Sequence, residues 1–215
     1  MPTPYDSIGQ SGLQFFGKVS ASISHELKNV LAIINENAGL LEDLTFAAQR
    51  GSAIDPERLN RTAQNFLKQI HRADEILKNM SRFAHSVDQF NLQVNLHELA
   101  GLVANLAGRP AAMRKVILEM AVPQEPATLT TNPFLLENLI WLCLDFAIAA
   151  TSAGGTLSLT PERTDSGICL HIAGIDKLAE AFPGQMPEGY DDISAALGAS
   201  LVPDFSKNAL TLRLA

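Results

Sequence analysis

Apolar residues in the first quarter of the chain recur in alternating steps of four and three: Ile23, Leu27, Val30, Ile34, then Asn37, Leu41, Leu44 and Ala48. That spacing is the a/d row of a helix lying lengthwise against another helix. It predicts a first helix over 11–49, ended by Arg50-Gly51-Ser52 with Gly51 in the C-cap position. Asp55-Pro56-Glu57 then opens a second helix, with Asp55 as N-cap and Pro56 in the first helical position. Its row is Leu59, Ala63, Phe66, Ile70, Ala73, Leu77, Met80, Ala84 and Val87, with no polar interruption. Two long helices joined by so short a connection form an antiparallel hairpin. Val19, Leu31, Ala38, Leu67 and Ile76 widen each stripe beyond what one seam buries. Two hairpins in a four-helix bundle can cover such a stripe, so a homodimer is expected. Ser20 and Asn37 interrupt the first row, either to fix register or at a wet edge of the bundle.

With Ile23 and Val30 at d and Leu27 at a, His25 falls at f, the position farthest from the seam. The helix therefore displays an imidazole, able to act as a nucleophile or a proton carrier. Glu26 stands beside it and Asn29 one turn further on. His71, His85, His97 and His171 have no metal-site spacing with another histidine, a cysteine or a carboxylate, and His171 is expected to pack within a strand.

The remaining composition narrows the class. A length of 215 residues and 47% hydrophobic content suit one large or two small domains with a full core. A net charge of -7 argues against a nucleic-acid-binding surface. Cys143 and Cys169 lie in apolar surroundings without CxxC spacing, which reads as two buried free thiols. The first residues lack the basic and apolar regions of a signal peptide. The longest apolar run, over 139–150, is interrupted by Asp145 and is too short to span a bilayer. A cytoplasmic chain without membrane insertion is expected.

After a link over 86–95, helices are expected over 96–106, with Asn95 as N-cap, and over 134–150, capped through Thr130-Thr131-Asn132-Pro133. Strands are expected over 115–122, 156–160, 168–172 and 209–214, the middle pair joined by a turn containing Asp165-Ser166-Gly167. The fold class is therefore α+β: a helical hairpin over 1–88, then an α/β sandwich over 89–215 with helices on one face of a sheet.

His25-Glu26-Leu27-Lys28-Asn29 resembles the H-box of two-component sensor histidine kinases, whose histidine accepts a phosphoryl group in a dimerisation and phosphotransfer hairpin. The order of elements after the hairpin resembles the ATP-binding domain of the same kinases, a fold shared with gyrase, Hsp90-type chaperones and MutL. The resemblance spans 16–214, but the nucleotide boxes are degenerate. Asp145 stands where the magnesium-holding asparagine would be, and Phe146 where a small residue would be. Gly174 takes the place of the adenine-recognising aspartate. Gly189-Tyr190-Asp191-Asp192 replaces the glycines that cradle the triphosphate, putting negative charge where backbone N–H groups would meet an anion.

The resemblance implies a retained fold with ATP binding lost. It implies a phosphoryl group carried on His25 and exchanged with the aspartate of response-regulator receiver domains. Glu26 would serve as proton partner, and the receiver would supply magnesium. No tightly bound cofactor and no metal site are expected. The dimeric histidine phosphotransferases are the nearest type within the family. A receiver-directed phosphatase is the alternative, since Glu26-Leu27-Lys28-Asn29 matches a Glu-x-x-Asn pattern whose last residue places a water on the aspartyl phosphate. An ATP-dependent kinase with an atypical nucleotide site stands third, and a binding scaffold without chemistry fourth.

Overall fold

The computed structural model describes residues 4–122, 125–164, 167–182, 184 and 186–214. The chain forms two compact units, one of Met1–Val19 with Phe83–Ala215 and the other of Ser20–Arg82. Helix α1 runs over Pro4–Gln49 and α2 over Pro56–His85. The expected first helix is therefore longer at its start.

In the unit Ser20–Arg82 the two helices meet through a short connection whose local chemistry is as anticipated. Gly51 has φ +90°, and Ser52 N–H donates to Ala47 O at 3.1 Å, closing the helix in a left-handed turn. Asp55 Oδ1 accepts from Glu57 N–H at 2.9 Å, capping α2. On α1, Ile23, Val30 and Leu44 are buried, as the spacing requires.

On α2 the inward row differs from the expected one. Thr62 and Gln69 are buried, and Phe66, Ala73 and Ile76 are half-buried, whereas Leu59, Ile70 and Leu77 of the anticipated seam are exposed. Ile70 is 54% exposed. The two rows share Phe66 and Ala73, and their centres lie roughly one-seventh of a turn apart on a 3.6-residue helix. A stripe this wide contains both rows, and spacing alone does not say which one faces the hairpin partner. The outer row of α2, with Leu31 and Phe46 of α1, is an apolar face left open by the single chain.

The other unit is a sheet with helices on one face. Its elements run β1 (Leu92–Asn95), α3 (Leu96–Leu106), α4 (Gly108–Met113), β2 (Ile117–Met120), β3 (Thr128–Thr131) and α5 (Pro133–Ala149). They continue with β4 (Thr156–Thr164), β5 (Gly167–Ala173), α6 (Leu178–Ala181), α7 (Tyr190–Leu197), β6 (Ser200–Asp204) and β7 (Ala209–Leu214). β1 and β3 form an antiparallel pair, and the main sheet has five strands in the order β2-β4-β5-β7-β6, with only β2 and β4 parallel. The anticipated turn residues Asp165 and Ser166 lie outside the described residues; the strands on either side pair Thr164 with Gly167. Pro203 sits in β6, an edge strand, where a missing N–H is tolerated.

Alternation sets the two faces of the sheet. Leu157, Leu159, Leu170, Ile172, Leu210 and Leu212 are fully buried and point to the helical layer. α5 fills that layer with thirteen buried residues, and α3 and α7 pack beside it. The N-caps are those expected: Asn95 Oδ1 accepts from His97 N–H at 2.9 Å, and Asn132 Oδ1 from Leu135 N–H at 3.0 Å. Cys143 and Cys169 are both free and buried, and burial pushes the Cys143 thiol up to about 12.

The sheet's other face carries half-buried and exposed polar residues. His171 lies there, bridging Thr211 Oγ1 at 2.9 Å and Glu162 Oε2 at 3.0 Å. It was expected to be packed, but its register beside Thr160 and Thr211 puts it on the outer face.

The first turns of α1 belong to this unit. Phe15 is 2% exposed and packs its ring at 5.1 Å from Phe83, 5.7 Å from Phe134 and 5.5 Å from Trp141, centroid to centroid. Gly12 lies against the Phe134 ring, where a Cβ would come within 3.2 Å. Ser11 Oγ accepts from Asn138 Nδ2 at 3.2 Å.

Candidate functional site

His25 and Asn29 are both exposed on α1, one helical turn and about 6 Å of rise apart. They share a face, as residues four apart do. Among the described residues no side chain hydrogen-bonds to or pairs with the His25 imidazole. Its ring nitrogens are therefore open to an incoming group.

Glu26 is turned toward the hairpin. Its Oε2 lies 3.8 Å from the guanidinium of Arg72 on α2, with the Glu26 side chain 24% exposed and that of Arg72 49%. Arg72 did not figure among the sequence-derived candidates. Its signal was present, since an antiparallel hairpin brings the middle of α2 level with the start of this stretch, but no local motif marks it. Elsewhere along the hairpin Ser22 and Gln69 are buried, and Ser22 Oγ and Gln69 Oε1 have no partner.

The second group of candidates lies in the other unit, 127 residues along the chain from α1's first turns. Asp145, on α5, has its Oδ2 3.5 Å from Lys18 Nζ, an exposed ion pair. Phe146 is buried and meets Phe182 edge-on at 6.2 Å, which in turn meets Phe205 at 6.3 Å.

Gly174 follows β5 with φ +97°, and a Cβ there would stand 2.1 Å from Thr156 O. Its N–H donates to Asn208 O at 3.1 Å. This glycine is thus required by a close backbone crossing, whatever ligand the fold holds. Asp176, two residues on, was not singled out as a site residue. Its Oδ1 accepts from Ser152 N–H at 2.8 Å, and hydrogen bonds from the Ser152 hydroxyl and then this N–H hold its carboxyl below the usual range.

Gly189, at the start of α7, is left-handed with φ +87°, and a Cβ there would stand 2.9 Å from Ser11 Cβ. The crevice between this glycine and Ser7, Gln10, Ser11 and Gln14 encloses 40 Å³. Small-ligand sites occupy about 300 Å³ or more. Asp191 and Asp192 follow in the first turn of α7. Among the described residues no cluster of histidine, cysteine and carboxylate side chains could hold a metal ion. Among the described residues no helix is long and apolar enough to cross a membrane.

No family model and no curated protein matches the chain. The solved structures it matches include histidine kinases and a phosphotransferase. The histidine kinase AdeS of Acinetobacter baumannii is 15% identical over 89% of this chain and 97% of its own, with a TM-score of 0.47. A bacterial phosphotransferase is 15% identical over 94% of this chain and 96% of its own, with a TM-score of 0.48. The cytoplasmic segment of the histidine kinase QseC is 14% identical over 68% of this chain and 94% of its own, with a TM-score of 0.45.

Proposed function

We propose that the chain is a phosphoryl carrier of two-component signalling, exchanging a phosphoryl group between His25 and the aspartate of response-regulator receiver domains. The observation that carries this reading is the open imidazole of His25 on the outer face of α1, within the run His25-Glu26-Leu27-Lys28-Asn29. In the forward step a ring nitrogen of His25 attacks the phosphorus of an aspartyl phosphate. The N–P bond forms as the P–O bond to the aspartate breaks, and the carboxylate leaves with the electron pair. The second ring nitrogen then gives up its proton, and Glu26, next in the chain, is the carboxylate proposed to take it. Magnesium enters with the receiver and balances the phosphoryl charge. The reverse step passes the group to a second receiver.

The residues at the nucleotide positions do not fit ATP with magnesium. Lys18 meets Asp145 in place of a metal, Phe146 is packed into the core, and Gly174 has no carboxylate and no room for one. Asp191 and Asp192 bring like charge to the helix start where a triphosphate would rest. No step is therefore derived through ATP.

The open apolar face of Leu31, Phe46, Leu59, Leu67, Ile70 and Leu77 fits a second copy of the hairpin, completing a four-helix bundle. The exposure of Asn29 beside His25 supports a second reading, in which Asn29 places a water on the aspartyl phosphate and the receiver is dephosphorylated. Labelled phosphorylated receiver separates the two. Acid-labile label on this chain supports the carrier, and label released as free phosphate without passing through protein supports the phosphatase. Labelling from ATP alone would overturn both in favour of a kinase.

A further inference from the structure

We propose that Arg72 is a positioning residue of the phosphoryl-transfer site, acting through Glu26; the inference rests on the carrier reading of His25 above. The 3.8 Å ion pair joins Arg72 to Glu26 Oε2. In the proposed arrangement Oε1 serves the imidazole during transfer, with the three side chains acting as orienter, proton acceptor and nucleophile. That is the arrangement in which a base is useful only when a third group fixes it.

The surroundings argue that the pair serves chemistry more than stability. Ser22 is one turn before Glu26 on α1, and Gln69 three residues before Arg72 on α2, so both share the faces that carry the pair. Both are buried, and each has a side-chain oxygen with no partner. Buried polar atoms left unpaired destabilise a fold. A half-exposed ion pair contributes little in return. Apolar side chains at these four positions would pack the hairpin better. Among the described residues the ion pair with Arg72 is what directs the Glu26 carboxylate. Without the guanidinium the carboxylate spreads over several rotamers, few of which face the imidazole.

The test is a double-mutant cycle on the full chain, read as the rate of label transfer from a phosphorylated receiver to His25. Arg72→Gln is expected to slow transfer by roughly two- to 150-fold, the range of coupling between groups in contact. In a Glu26→Gln background the same substitution is expected to cost nothing further, and Arg72→Lys to restore most of the parent rate. Nitrogen NMR of the His25 ring, with no receiver present, is expected to shift on Arg72→Gln while the thermal unfolding curve stays in place. Equal losses in both backgrounds would show that Arg72 touches the phosphoryl group or the receiver directly, and would overturn the proposal. So would parent-like transfer by Arg72→Gln, or by Glu26→Gln alone. His25→Ala run alongside separates the two levels: if it still accepts label at the parent rate, the carrier reading fails. If it accepts none while Arg72→Gln behaves as the parent, only the role of Arg72 fails.

Discussion

Lys18 Nζ stands 3.5 Å from Asp145 Oδ2, joining the early turns of α1 to the middle of the central helix α5. The pair is exposed, so it adds little to stability. Its meaning is positional: the cation beside the Asp145 carboxylate is the chain's own Lys18.

ATP with magnesium is therefore expected to give no saturable stabilisation in a thermal-shift measurement at millimolar nucleotide. A ligand that binds only the folded state raises stability by about 2.7 kcal/mol at a hundredfold excess over its dissociation constant. A shift that saturates in the micromolar range and disappears with EDTA would contradict the degenerate site and return an ATP-dependent kinase to first place.

Phe15 should matter more to the second unit than any charged residue of α1. It is buried among Phe83, Phe134 and Trp141, so Phe15→Ala opens a cavity as well as losing apolar contact. The expected loss is about 3–5 kcal/mol in urea unfolding. A loss below about 1 kcal/mol would mean that the start of α1 does not pack on α5.

Ile70→Asp is expected to separate two copies without unfolding the hairpin, because Ile70 lies in the open row of α2. Sedimentation of the parent as a dimer and of the variant as a helical monomer is the predicted pair of results. A parent that sediments as a monomer would remove the bundle, and a variant as dimeric as the parent would put the interface elsewhere.

How far the sequence carries depends on how local the determinant is. Gly51, Asp55, Asn95 and Asn132 announce helix ends because each acts within five residues of itself, and all four do so in the structure. The alternation of Leu157, Leu159 and of Leu170, Ile172 similarly marks two core strands. What was not legible depends on distant partners. β3 is short and polar, and becomes a strand by pairing with β1. Phe15 and Phe16 lie in the most informative stretch, yet their role appears only when Phe83 and Phe134 arrive from elsewhere. The choice between the two rows of α2, and the pairing of Arg72 with Glu26, likewise depend on how one helix is rotated against the other.

Asp176 supplies a test at acid pH. Hydrogen bonds from the Ser152 hydroxyl and N–H lower its folded pKa below the unfolded value of about 3.9. A depressed carboxyl stabilises fully above the unfolded pKa and loses that contribution as pH falls through the folded one. Parent and Asp176→Asn should therefore differ in urea stability at about pH 7 and converge toward about pH 2. A gap that stays constant across this range would show that the bond does not depend on the charge.

The central claim is that His25 carries the phosphoryl group, and the most direct measurement is peptide mapping under alkaline conditions after mixing the chain with a phosphorylated receiver. The account predicts an acid-labile phosphoryl group on the peptide containing His25, absent in His25→Ala although that variant keeps the parent's helicity and oligomeric state. A phosphoryl group found on another residue, or none on the chain while the receiver stays phosphorylated, would contradict it.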